Sequence, residues 1–452
     1  MGKLFGTDGI RGTANSYPII PEVAVKIGEA VAALFKTIGE RPLVIIGQDT
    51  RLSGDMLAYA LASGVCAAGV DAELIGVLPT PGIALATRKL GASAGIVVSA
   101  SHNPYQDNGI KVFGSDGFKL SDEKEAEIEG LVLDGKASGL KPRQPATGRI
   151  CRNPGAAELY ADFLKGCFAG KPGAGPACGL KIVLDCAHGA THEIAPRIFA
   201  DLGCRVQAIN VQPDGININH QCGSQHPDGL ARQVAADHAD LGLAFDGDGD
   251  RLIAVDDQGE VLSGDRVLAV CAQHLHMQAR LKNNTVVSTV MSNVGLSRSL
   301  EKLGIRHLTT RVGDRYVMEG MRAAGASLGG EDSGHMIFAE QHTTGDGILS
   351  GLMLVQAIQA QAAPLSRLKT VMVPFPQTLI NVAVKSKPDL EGFPKVRKAI
   401  QDVEARLGEN GRVLVRYSGT ESLCRVMVEG PDRADVDAFA RSISQAIAAA
   451  VG

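Results

Sequence analysis

One pattern recurs three times in the first 370 residues and leaves little choice of architecture. A β-branched apolar run ends in a polar or glycine-bearing turn. A helical stretch comes next and stops at a glycine, and then a second and a third apolar run close the unit. The first runs are Leu43–Gly47, Ile182–Asp185 and Val286–Val290. The second are Ala72–Val77, Arg205–Val211 and Arg306–Thr310, and the third are Gly95–Val98, Leu241–Phe245 and Ala326–Gly329. The helix-stopping glycines are Gly69, Gly203 and Gly304. Glycine suits that place because it adopts the left-handed conformation that ends a helix without a steric penalty. Runs apolar on both faces, alternating with helices, imply an α/β fold whose mostly parallel sheets are covered on both sides.

The last ~80 residues lack the repeat and read as a smaller α+β domain. Its strands Val413–Arg416 and Cys424–Val428 flank Tyr417–Glu421, and the alanine-rich end from Ile443 to Val451 reads as a closing helix. At 452 residues the chain exceeds what one core supports. Proline-bearing stretches, Gly139–Pro154 and Ala362–Pro376, mark two boundaries, and a third falls near Asp256 without a linker. The expected domains are therefore 1–150, 151–255, 256–370 and 371–452. A net charge of −4 with no basic tract gives no footprint for nucleic acid. No window reaches the ~18 uncharged apolar residues of a membrane span, and the start lacks a signal-peptide core. Nine scattered cysteines without a C-x-x-C pair point to free thiols in a reducing cytoplasm.

The loop after each third run differs from copy to copy, and that difference carries the chemistry. The first copy continues Ser99-Ala100-Ser101-His102-Asn103-Pro104, the second Asp246-Gly247-Asp248-Gly249-Asp250-Arg251, the third Gly330-Glu331-Asp332-Ser333-Gly334-His335. In open α/β sheets the carboxyl ends of strands face the ligand crevice. If the copies face one another, the three loops share one cleft. Glycines between Asp246, Asp248 and Asp250 permit a turn that converges the carboxylates, which repel unless a cation sits among them. Hard oxygen donors select Mg²⁺ or Ca²⁺. A calcium loop needs glycine at its sixth position, where this chain has Arg251, so Mg²⁺ with a phosphate fits best. A phosphatase with an aspartate nucleophile also places D-x-D after a strand, and a solvated acidic turn is the plain alternative. Lys111 lies ten residues beyond Ser101 and could carry a substrate proton if its pKa is lowered. His102 and His335 could do the same or act through charge. Arg416, Ser418, Gly419 and Thr420 form a compact anion cradle, since guanidinium grips phosphate bidentately and turn amides add donors.

Together these loops resemble the α-D-phosphohexomutase superfamily, over essentially the whole chain. The resemblance implies four domains: three related α/β domains with mixed, mostly parallel sheets, and a smaller C-terminal α+β domain. It implies that Ser101, not Ser99, carries a phosphoryl group. It gives Asp246, Asp248 and Asp250, with an oxygen on Ser101, as the Mg²⁺ site. Arg251, Lys111, His102 and His335 are the implied catalytic residues. Glu331 and Ser333 match the readers of sugar hydroxyls, and Arg416, Ser418, Gly419, Thr420 and Arg425 the distal phosphate site. Phe5–Gly12, Val312–Tyr316 and Thr343–Gly347 carry a narrower similarity, to the bacterial members acting on an amino sugar, and add Thr7, Arg11, Asp314 and Arg315 to the substrate site. The implied reaction interconverts the 6- and 1-phosphates of glucosamine through a 1,6-bisphosphate. Glucosamine 1,6-bisphosphate or glucose 1,6-bisphosphate would prime it. The nearest alternatives are the same machinery serving glucose or mannose phosphates, and a Mg²⁺-dependent phosphatase. The expected partners are a phosphorylated hexosamine and, at most, a second copy of the chain.

Overall fold

The computed structural model describes residues 4–6, 8–35, 42–134, 147–168, 179–418 and 422–452. Thr7, Gly419 and Thr420 lie outside the described residues. The chain forms two compact units, Met1–Met291 with Ile305–Thr370, and Ser292–Gly304 with Val371–Gly452.

The first unit holds three sheets. The first is built from β1 (Ile10–Thr13), β2 (Leu43–Gln48), β3 (Asp71–Val77), β4 (Ala94–Val98), β5 (Asp107–Gly114) and β6 (Ile150–Arg152), in the order β1-β5-β4-β2-β3-β6. The second contains β7 (Lys181–Asp185), β8 (Arg205–Ile209), β9 (Leu241–Phe245), β10 (Leu252–Asp256) and β11 (Val261–Leu262), in the order β11-β10-β9-β7-β8. The third contains β12 (Thr285–Thr289), β13 (Arg306–Thr310), β14 (Leu328–Gly330) and β15 (Met336–Phe338), ordered β13-β12-β14-β15.

The sequence repeat is thus also a repeat of topology. In each sheet the first strand of the copy lies between the second and the third, all parallel: β3-β2-β4, β8-β7-β9 and β13-β12-β14. The chain then turns back through the loop after the third strand into an antiparallel strand, β5, β10 or β15. Every residue of β4 and of β9 is buried, as their unbroken apolar runs require. The helix-stopping glycines Gly69, Gly203 and Gly304 all have positive φ, at 81°, 86° and 69°. Helices Pro21–Phe35 and Gly54–Ala67 cover one face of the first sheet. They can approach closely because a Cβ at Gly64 would sit 2.0 Å from the Val25 carbonyl oxygen.

The sheets extend past two expected boundaries. β6 straddles residue 150 and pairs with β3, so the first sheet runs to Arg152. A hairpin returns β11 onto β10, which carries the second sheet to Leu262. The second unit contains an antiparallel sheet, β16 (Gln377–Ala383), β17 (Arg412–Tyr417) and β18 (Leu423–Glu429), in the order β16-β18-β17. Helices Pro394–Leu407 and Arg433–Val451 bury Val396, Val403, Phe439 and Ile443 against it. Segment Ser292–Gly304 belongs here too: the Asn293 amide donates to the Phe375 carbonyl at 3.0 Å. No single described helix is long and apolar enough to cross a membrane.

Candidate active site

The order second-first-third places the ends of β2 and β4 side by side, and the crevice opens there. Ser101 sits in that crevice, fully buried, with φ of 54° in the left-handed region. Its hydroxyl donates to Asp246 Oδ2 at 2.6 Å, joining the loops of the first and second copies. The Ser101 amide donates to Ser99 Oγ at 2.8 Å, and the Ser99 hydroxyl donates to Asp49 Oδ2 at 2.6 Å. So of the two serines, Ser99 is committed to the turn and Ser101 faces the carboxylates.

Asp246, Asp248 and Asp250 are buried, and each offers a carboxylate oxygen within 4.8 Å of the others. Gly247 permits the approach: a Cβ there would fall 2.6 Å from the Ser101 carbonyl oxygen. Asp248 Oδ2 accepts from Thr80 Oγ1 at 2.6 Å and from Lys111 Nζ at 2.9 Å. Asp248 Oδ1 and Asp250 Oδ1 are buried with no hydrogen-bond partner among the described residues. Burial, with Asp250 and Asp248 adding to it, raises the Asp246 pKa well above the usual carboxylate range. Burial would raise Asp250 as well, but Lys111, His335 and Arg251 outweigh it and hold that carboxyl well below the range. Three converging carboxylates with two unsatisfied oxygens are the donor set a hard divalent cation takes.

The other implied residues surround this centre. The Arg251 amide donates to Asp246 Oδ1 at 3.2 Å, and its Nε lies 3.7 Å from Asp250 Oδ1. His335, from the third copy, places Nδ1 3.6 Å from Asp250 Oδ2 and Nε2 3.7 Å from Asp314 Oδ2. Burial lowers the His335 pKa, but Asp250 and Asp314 outweigh it and the net shift is upward. His102 Nδ1 lies 3.4 Å from Ser101 Oγ. Burial, helped by Arg251 and Arg11, pushes that imidazole down to about 4, so it is neutral near pH 7. Lys111 departs from its expected condition. Burial alone would lower its pKa, but Asp248, Asp8 and Asp250 raise it above the ordinary value. In this arrangement Lys111 is a fixed cation. Arg11 donates to the Ala100 carbonyl at 3.2 Å and pairs with Asp8. Glu331 Oε1 accepts from the Gly313 amide at 3.0 Å, and the Ser333 hydroxyl oxygen is buried without a partner among the described residues. Arg315 pairs with Asp122 and, at 2.7 Å, with Glu125.

Sequence reasoning passed over several residues here. Lys119 bridges Asp8 and Asp314, so it ties the first copy to the third. Thr80, at the start of a helix after β3, reaches Asp248. Asp49 and Arg51 lie in the turn after β2, beneath the Ser101 loop. The signal for that pair was available: opposite charges at the end of a buried strand, on the crevice side.

In the second unit, Arg416 on β17 faces Arg425 on β18 across the antiparallel ladder. Burial, with Arg425 adding to it, lowers the Arg416 pKa. Two guanidiniums directly opposite repel unless an anion lies between them. Lys387 Nζ donates to the Ser418 carbonyl at 2.6 Å at the same end of the sheet.

Residues 2–138, 158–259 and 263–375 match phosphoglucomutase/phosphomannomutase alpha/beta/alpha domains I, II and III, and residues 379–446 match the C-terminal domain. The chain belongs to the phosphoglucomutase/phosphomannomutase family. It is 53% identical over 452 residues, 100% of each chain, to the phosphoglucosamine mutase of Syntrophus aciditrophicus. A crystal structure of a phosphoglucomutase/phosphomannomutase family protein from Burkholderia thailandensis is 25% identical, with a TM-score of 0.81, over 99% of this chain and 97% of that one. The N-acetylphosphoglucosamine mutase of Aspergillus fumigatus, solved with GlcNAc-6P and magnesium, shares the fold at 18% identity and a TM-score of 0.69, over 99% and 96% of the two chains.

Proposed function

We propose that this chain is an isomerase that interconverts glucosamine 6-phosphate and glucosamine 1-phosphate, with Ser101 as the phosphoryl carrier. The observation that carries the reading is the Ser101 hydroxyl 2.6 Å from Asp246, inside a buried aspartate triad that retains two unsatisfied oxygens. The choice of amino sugar rests on the 53% identity to a phosphoglucosamine mutase. A free sugar hydroxyl attacks the phosphorus on Ser101, the Oγ–P bond breaks, and a 1,6-bisphosphate forms. The proton that the attacking hydroxyl gives up ends on the departing Ser101 Oγ, and His102, whose Nδ1 lies 3.4 Å from Oγ, stands where that proton arrives. After the intermediate turns over, the second phosphoryl returns to Ser101. Glucosamine 1,6-bisphosphate or glucose 1,6-bisphosphate primes the first turnover.

Phosphoryl transfer asks for positioning and charge neutralisation. Lys111 and Arg251 supply fixed positive charge at the triad. Asp246, Asp248 and Asp250, with an oxygen on Ser101, would hold Mg²⁺, which supplies further charge neutralisation. Glu331 and Ser333 present a carboxylate and a hydroxyl to sugar hydroxyls, with Asp314, Arg315, Arg11 and Thr7 completing the substrate set. Arg416, Ser418, Gly419, Thr420 and Arg425 grip the phosphate that is not reacting. The eight described cysteines are free thiols, which suits a cytoplasmic enzyme.

Side-by-side turnover of glucosamine, glucose and mannose 6-phosphates, each with a bisphosphate primer, tests the proposal. The amino sugar should give the highest kcat/KM. A faster reaction with either neutral sugar overturns the substrate, and steady release of free phosphate overturns the mutase.

A further inference from the structure

The Ser101 turn is held from beneath by two side chains that touch neither the reacting oxygen nor the triad. Arg51 is wholly buried, and its five N–H donors are all committed. Nε donates to Asp49 Oδ2 at 2.9 Å. One terminal nitrogen donates to the carbonyls of Ser101 at 3.0 Å and Asn103 at 2.8 Å. The other donates to the carbonyls of Pro104 and, at 2.9 Å, Asp107. From the second copy, Asn219 Nδ2 donates to the same Ser101 and Asn103 carbonyls, at 2.9 and 3.0 Å. The Ser101 carbonyl therefore accepts two converging donors, one from each copy.

We infer that Arg51 and Asn219 are positioning residues, which lock the Ser101 turn so that Oγ is aimed at Asp246 before substrate arrives. This rests on Ser101 being the phosphoryl carrier. Non-glycine residues seldom hold a left-handed backbone, and such a conformation persists only where the surroundings over-determine it. Ser101 is such a residue, with φ of 54°. If its carbonyl is released, the peptide can rotate and the hydroxyl swings off the Asp246 line. The clamp also couples domains: Asn219 lies beyond β8 in the second copy, close to the triad that Ser101 must meet. Gly247 leaves room for it, since a Cβ there would lie 2.7 Å from Asn219 Nδ2. An error of an ångström in a reacting atom can cost about a hundredfold in rate, so a clamp acting only on direction is worth having.

The test uses the full-length enzyme and glucose 1,6-bisphosphate as the phosphoryl donor, with Ser101 occupancy tracked by intact mass. Wild type must become phosphorylated; if it does not, the phosphoserine reading itself fails and the clamp is not at issue. Given that, Asn219→Ala should slow Ser101 phosphorylation and kcat about tenfold or more, leave KM within about twofold, and keep the native circular dichroism. Asn219→Asp has the same size but sets a carboxylate against two carbonyls, so it should be slower than the alanine variant. Arg51→Lys, which keeps the charge but not the five-donor fork, should show the same loss in kcat at constant KM. A wild-type phosphorylation rate in Asn219→Ala overturns the inference. So does an Asn219→Asp enzyme as fast as wild type, because that would mean Asn219 only fills space.

Discussion

The environment of Ser101 shows how single residues set the chemistry. Its hydroxyl meets Asp246, its carbonyl meets Arg51 and Asn219, and Gly247 leaves room beside that carbonyl and the Asn219 amide. A Cβ at Gly247 would overlap the Ser101 carbonyl oxygen and the Asn219 amide together. We therefore expect Gly247→Ala to fold, by circular dichroism, and to lose about a hundredfold in kcat; full activity would show that the contact is not needed. Asp248→Asn keeps the shape but removes a charge facing Lys111, and should lower turnover by a factor of about 10²–10³ with the fold retained. His342 tests electrostatics away from the triad. It is buried edge-on against Phe163, with ring centroids 5.5 Å apart. Burial, with Arg88 adding to it, pushes its pKa down from 6.5 to about 3. The folded state therefore refuses a proton that the unfolded chain accepts. The stability this ring contributes is complete above pH 6.5 and falls as pH drops towards 3, by roughly 1.4 kcal/mol per unit at most. Denaturant midpoints should show His342→Phe losing less stability than wild type between pH 6 and 4; parallel losses would contradict the assignment.

At the scale of elements, the three copies share a turn as well as a strand order. Asp49 Oδ1 accepts from the Arg51 amide at 3.0 Å, Asp185 Oδ1 from the Ala187 amide at 3.0 Å, and Thr289 Oγ1 from the Met291 amide at 3.2 Å. Each is a side chain at or just past the end of the first strand, bonding two residues on. In the first two copies the second carboxylate oxygen reaches across the crevice, to the Ser99 hydroxyl at 2.6 Å and the Gly223 amide at 2.9 Å. Asp185→Ala strands two buried amides and should cost about 1–3 kcal/mol for each, read as a shift in urea midpoint. The first, second and third strands of each copy were legible because their signals are local: β-branched runs, polar turns and helix-stopping glycines. Gly69, Gly203 and Gly304 do have the positive φ that such stops need. The antiparallel partners were harder to read. The apolar run at Leu252–Val255 reads as a strand, but its pairing with β9 depends on the turn between them, where Gly249 takes a φ of 71°.

For the whole molecule, the residues proposed for the chemistry are distributed over both compact units. The triad, Ser101, Lys111, Arg251 and His335 belong to the first, and Arg416, Ser418 and Arg425 to the second. The loops after the three third strands were legible as polar turns because each has a distinctive composition in a short span, whereas Gly419, Thr420 and Glu421 of the fourth lie outside the described residues. The charge network joining the first copy to the third was not legible, since Asp8, Lys119 and Asp314 are brought together only by the docking of those copies. Nor could periodicity show that Ser292–Gly304, which opens with a turn of the third copy, belongs with the C-terminal residues. Division of labour predicts that Arg416→Ala raises KM for the sugar phosphate while Ser101 is still phosphorylated by glucose 1,6-bisphosphate; an unchanged KM would remove Arg416 from substrate binding. The central claim is that one hydroxyl, held against three aspartates, carries the phosphoryl group through the cycle. Phosphosite mapping of the enzyme after incubation with glucose 1,6-bisphosphate tests it most directly. One phosphoryl group is expected, on Ser101 and absent from Ser101→Ala; a phosphoryl group that persists in that variant, on Ser99 or an aspartate, would contradict the claim.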